Sequence, residues 1–159
     1  MNLRIAAVLA LALTAASPAA AQVVVQVTDV KTTVSGPGVL DDAGAVLFAG
    51  ASADFAGENP AHTFQIVRFD PATGAATPVT AFPDGVSPLL SVSDDGQWLA
   101  FPSYSDLTGN NHDEGIELFV MAADGGGITQ VTDEPAVDGG SVGALALSGD
   151  GGTVVFVAN

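Results

Sequence analysis

Val, Ile, Leu and Phe fall along this chain in short runs, and Gly, Asp, Pro and Asn separate them. Runs of this kind bounded by turn formers predict β-strands. Beyond the first residues no stretch sustains a helical period. The clearest passage covers residues 89–131. Residues 89–92 read as a short apolar strand. Ser93-Asp94-Asp95-Gly96 reads as a tight turn, with Asp carboxylates bonding back to the backbone and Gly free to adopt positive φ. Residues 98–102 form a second strand, 103–115 a long polar loop and 116–122 a third strand. Ala123-Asp124-Gly125-Gly126-Gly127 turns the chain again, into a fourth strand over 128–131. Four strands joined in this way predict one antiparallel meander.

The pattern recurs. Gln26-Val27-Thr28-Asp29 returns as Gln130-Val131-Thr132-Asp133 after 104 residues, with Pro78-Val79-Thr80-Ala81 halfway. Residues 64–69 match 116–121 at a shift of 52, 41–48 match 94–101 at 53, and 93–101 match 148–156 at 55. A period of about 50 with several strands per unit belongs to radial or stacked β architectures. The expected units are a closing-type strand over 22–34, a sheet over 35–82, a second over 83–135 and half of a third over 136–159. A lone four-stranded unit has two apolar faces, so neighbouring units must cover both. Phe48, Trp98, Phe101 and Phe156 on the second strands suit packing between sheets.

At these residues the chain resembles the repeats of TolB-like β-propellers. Those blades carry S-P-D-G-x-x-I-A-F-x-S, then I-Y-V-M-D-x-D-G-G, then a closing L-T. Ser93, Asp95, Gly96, Ala100, Phe101, Ser103, Val120, Met121, Asp124, Gly125, Gly126 and Thr132 fall on matching positions. Asp94 departs from the family's Pro, Ala123 departs beside the second turn, and the upstream unit matches more loosely. The resemblance implies an all-β fold of propeller blades, each a four-stranded antiparallel meander. Two and a half such blades make an incomplete ring, because propellers usually have four to eight. The expectation is a portion of a longer propeller, or self-association through open strand edges.

Residues 1–21 change the picture of location. Arg4 gives a positive start, 5–16 is apolar, and Ala19-Ala20-Ala21 offers a small-residue cleavage site. This reads as a signal-peptide helix, too short to span a bilayer, so the mature protein is expected to be exported, periplasmic or extracellular. No later stretch is apolar enough for membrane insertion. The net charge is −15, from 18 acidic and 3 basic residues, and Arg4 lies in the leader. Such a surface disfavours nucleic acid and attracts cations. With no Cys, export brings no disulfides.

Candidate chemistry is sparse. Gly139-Gly140-Ser141-Val142-Gly143 fits the G-x-S-x-G pattern of serine hydrolases. That pattern needs a strand-to-helix elbow and a downstream His, whereas His62 and His112 both lie upstream. His62 and His112 sit in similar loops without metal-ligand spacing. Asp106, Asn110 and Asp113 gather oxygen donors around Gly109, which makes calcium the one cofactor to consider, although the order of an EF-hand loop is missing. Repeated Asp41, Asp42, Asp94, Asp95 and Asp150 follow the repeated turn and form no catalytic pair. The expected role is a non-enzymatic module that binds protein or glycan through loops on one face, or scaffolds the envelope. The alternative is the propeller portion of a secreted hydrolase of the prolyl-oligopeptidase kind.

Overall fold

The computed structural model describes residues 39–40, 47–52, 54, 57, 59–70, 72–133, 135 and 140–158. The expected leader, the strand within 22–34 and the Asp41-Asp42 turn lie outside the described residues. Ten strands are described, in three antiparallel sheets. The first sheet has β1 (Val39–Leu40), β2 (Leu47–Ala51), β3 (Gln65–Asp70) and β4 (Ala75–Pro78), in that order. The second has β5 (Ser91–Val92), β6 (Trp98–Ser103), β7 (Glu117–Ala122) and β8 (Thr129–Gln130), again in chain order. The third pairs β9 (Val142–Leu147) with β10 (Val154–Ala158). The meander expected from residues 89–131 is therefore the second sheet.

The repeated turn has one physical basis, used twice. Ser93 Oγ donates to Asp95 Oδ1 at 2.6 Å and accepts from the Trp98 amide at 3.0 Å, while Asp95 Oδ1 also accepts from the Gln97 amide at 3.0 Å. In the third sheet Ser148 Oγ donates to Asp150 Oδ1 at 2.7 Å, accepts from the Thr153 amide at 2.8 Å, and Gly152 caps Asp150 at 2.9 Å. Each set satisfies the polar groups that a tight reversal strips from the ladder. Gly96 and Gly151 follow the Asp at φ 68 and 72, a region where a side chain would be strained. At Gly151 there is a second reason: a Cβ would lie 2.3 Å from the Trp98 ring, so the indole of the second sheet rests on the turn of the third.

The sheets face one another through alternate residues of their strands. Leu99 and Phe101 of β6 join Phe119 and Met121 of β7 in a cluster with Ile66 of the first sheet and Val86, Leu90 and Val92 of the chain leading into and through β5. Phe101 stacks on Phe119 at 6.0 Å and on Phe82 at 6.5 Å between ring centroids. Ala100 and Pro102 point to the other side of β6 and are also buried, because β9 packs there. The β9 backbone is tied in as well: the Leu147 amide donates to Ser91 Oγ at 2.9 Å. The second sheet is thus covered on both faces. On the third sheet Val155 and Val157 remain 65% and 61% exposed.

A polar pair is repeated inside the core. Thr80 Oγ1 donates to Gln65 Oε1 at 2.7 Å and accepts from the Ile66 amide at 2.9 Å. One unit later, Thr132 Oγ1 donates to Glu117 Oε2 and accepts from the Leu118 amide at 2.9 Å. These hydroxyls extend the ladder past the ends of β4 and β8, where the Val79 and Val131 amides still reach the Ile66 and Leu118 carbonyls.

Candidate functional site

An antiparallel meander sends successive connections to opposite ends of its sheet. The tight turns at 93–96 and 123–127 share one end, where the Ala123 amide donates to the Gln97 carbonyl at 2.8 Å. The long β6–β7 loop and the β4–β5 connection share the other. There the Val86 amide reaches the Phe64 carbonyl at 2.7 Å, the Ser87 amide reaches the Pro102 carbonyl at 3.0 Å, and Ser103 Oγ donates to the Gly85 carbonyl at 3.4 Å. The turn end is short and self-satisfied. The loop end carries the longer segments.

Both long loops are built on the same frame, D-x-x-G-x-N. Asp54 Oδ1 accepts from the Asn59 amide at 2.7 Å, and Asp106 Oδ1 accepts from the Asn111 amide at 3.0 Å. Asn59 Nδ2 donates to the Thr63 carbonyl and Asn111 Nδ2 to the Gly115 carbonyl, each at 2.8 Å. Gly57 and Gly109 have φ of 81 and 80, and His62 and Glu114 have φ of 53 and 56. Both Asn side chains are buried, at 6% and 2% exposure. The frame sets the register: His62 corresponds to Glu114, not to His112, so the two histidines are not equivalent. The signal in the sequence that marks these two Asn residues is their separation by the repeat shift of 52.

The oxygen donors considered for calcium are mostly engaged by the loop itself. Asp106 is held below the ordinary carboxyl range chiefly by the Asn111 amide, with further help from the Gly109 and Asn110 amides. Its Oδ2 lies 3.6 Å from Nδ1 of the exposed His112. Asn110 Nδ2 turns to Thr108 Oγ1 at 3.3 Å, and Asp113 Oδ1 accepts from the Gly115 amide at 3.2 Å. Among the described residues no three His, Cys, Asp or Glu side chains converge as a metal cage would require. Ser141 stands just before β9, so a strand rather than a helix follows the G-x-S-x-G segment.

The two loop-end segments enclose a cleft of about 920 Å³ between residues 82–84 and 104–114. Phe82 and Tyr104 give it flat apolar surfaces, and Asp84, Asp106 and Glu114 give it acidic ones. His112 is its single basic lining side chain among the described residues. Tyr104 is 59% exposed. Asn111 lines the cleft from the buried side, and its Oδ1 has no hydrogen-bond partner among the described residues. The repeat explains why. In the first sheet Thr63 Oγ1 donates to Asn59 Oδ1 at 3.3 Å, but the corresponding position after Glu114 is Gly115, which has no hydroxyl to offer.

No family model matches this chain, and no curated protein does. Solved structures do. The crystal structure of TolB from Acinetobacter baumannii superposes with a TM-score of 0.55 at 17% identity, over 82% of this chain and 28% of that one. The putative TolB from Agrobacterium tumefaciens gives 0.54 at 21% identity, over 82% of this chain and 40% of that one. The tricorn protease gives 0.50 at 18% identity, over 79% of this chain and 11% of that one. The chain therefore spans less than half the length of each of these three proteins, and what is shared is the fold.

Proposed function

From the β-propeller fold that this chain shares with TolB, we propose that it is an exported, non-enzymatic propeller module that binds a protein partner through its loop end. The observation that carries the reading is the cleft between 82–84 and 104–114, where exposed Tyr104 stands beside acidic side chains on a frame fixed by buried Asn111. Aromatic groups held on rigid supports are the usual anchors of protein recognition. The leader pattern at 1–21 supports export. The test is capture of partners from envelope extract by the purified chain, comparing it with Tyr104→Arg. The reading expects a specific partner lost with that substitution. Capture unchanged by it would remove the loop end as the binding surface.

The likeness to the tricorn protease keeps a second reading, in which these blades belong to a secreted hydrolase. A hydrolase domain encoded in the same reading frame as these blades would favour it over the first.

A further inference from the structure

Resting on that reading, we infer that the cleft at the loop end receives the guanidinium of an arginine side chain from the bound polypeptide. Three features converge on this chemistry. The first is charge. Asp84 stands on the β4–β5 connection, and Asp106 and Glu114 stand on the β6–β7 loop, so acidic groups come from both segments that form the cleft. The second is the buried acceptor. Asn111 commits Nδ2 to the Tyr104 and Gly115 carbonyls, at 3.2 and 2.8 Å, which fixes the amide and leaves the acceptor Oδ1 without a partner among the described residues. An unpaired buried acceptor carries a desolvation cost, and as this oxygen lies beneath the cleft surface, a water drawn in with the ligand would relieve it. The third is shape. The lining includes the rings of Phe82 and Tyr104, flat surfaces on which a planar cation stacks.

These features select among cations. A metal needs several oxygens drawn onto one point, and Asp106 and Asp113 already accept backbone amides within the loop. A cleft of about 920 Å³ is far larger than a metal cage. A lysine ammonium is a compact, strongly hydrated charge. A guanidinium instead spreads five donors in a plane, can address acceptors from two segments and stacks on an aromatic ring.

The test uses small probes on the intact chain, read by chemical-shift titration. The probes are N-acetyl-arginine amide, N-acetyl-lysine amide, the uncharged N-acetyl-citrulline amide, and calcium chloride. The arginine probe is expected to bind in the millimolar range and to shift amides of residues 104–114, with the lysine probe weaker by about threefold or more and citrulline silent. Asp84→Asn and Glu114→Gln, both at exposed positions, should each weaken the arginine probe about threefold to tenfold. Asp94→Asn, at the turn end, should leave it unchanged. Equal response to arginine and citrulline, calcium displacing the arginine probe at equal concentration, or indifference to Asp84→Asn and Glu114→Gln would each overturn the assignment. Partner capture that is lost with Tyr104→Arg while the arginine probe fails would sink this inference and leave the protein-binding reading standing.

Discussion

Thr132 donates its hydroxyl to the carboxylate of Glu117, a side chain only 1% exposed, at the place where Thr80 donates to the neutral amide of Gln65 in the preceding sheet. The two sheets share the hydroxyl and its geometry but differ in the charge that the hydroxyl serves.

That difference makes a comparison. Thr80→Val and Thr132→Val each remove an acceptor from a strand amide and a donor from a buried side chain. Thr132→Val should cost more, because hydrogen bonds to ions are worth about 1.5–3 kcal/mol against about 0.5–1.5 for neutral ones. Urea denaturation of the two variants checks the order. Equal losses would mean that the charge on Glu117 is served mainly by other groups.

The contact of Trp98 with Gly151 can be taken apart by a double-mutant cycle. Gly151→Ala meets two penalties, a positive φ worth about 1–2 kcal/mol and a clash with the indole. In a Trp98→Ala background the clash with the ring disappears, while the close approach to the residue 98 Cβ at 2.9 Å and the φ penalty stay. Gly151→Ala should therefore be less damaging there, by an interaction energy of about 1 kcal/mol or more. Trp98 is the only tryptophan in the chain, so its fluorescence also reports directly on this junction.

Acid should weaken the turns in a defined direction. The Ser93 hydroxyl and the Gln97 amide hold the Asp95 carboxyl below its ordinary value, and the Gly152 amide with the Ser148 hydroxyl does the same for Asp150. A carboxyl whose pKa is lower when folded contributes stability above the unfolded value, near 3.8, and loses it as pH falls through the folded value. Thermal stability should hold from neutrality down to about pH 5 on this account and fall below that. The paired variant Asp95→Asn with Asp150→Asn should show a shallower acid slope and a lower starting stability at pH 7. An acid slope identical to that of the parent would show that these turns do not contribute to it.

The core junction offers the largest single effect. Phe101 is fully buried and stacks between Phe82 and Phe119. Phe101→Ala should cost about 3–5 kcal/mol, whereas Val155→Ala, on an exposed face, should change stability by less than about 0.5 kcal/mol. Urea midpoints of the two variants measure the contrast.

Strand order and turn chemistry were legible because they are local. Ser93, Asp95 and Gly96 announce their reversal without any help from the rest of the chain, and the shift to Ser148, Asp150 and Gly151 repeats it. The packing of Phe101 and Trp98 between sheets was legible from their place on the second strand, whereas the burial of Ala100 and Pro102, on the face opposite Leu99 and Phe101, depends on β9 and was not. The cleft was not. Phe82, Asp84 and Tyr104 come from segments that only tertiary packing brings together, and no spacing along the chain connects them. Asn111 was not legible for another reason. Its neighbours Asp106, Asn110 and Asp113 suggested a cation loop, while its own burial depends on carbonyls at Tyr104 and Gly115 that no motif advertises. The similarity of the two histidine-bearing loops was legible, and the frame around Asn59 and Asn111 adds the register, in which His62 and His112 are offset by two residues.

Covering on two sides for the second sheet and on one for the third has a kinetic corollary. Each junction contributes its own share of free energy, as in stacked arrays, so opening should begin at the third sheet, which has two strands and leaves Val155 and Val157 exposed. Amides of β10 would then trade their hydrogens with deuterium first, those of β9 next, and those of β6 near the rate of complete unfolding. The molecule would come apart as a sequence of peeling steps, with the Trp98 indole at the first seam to part.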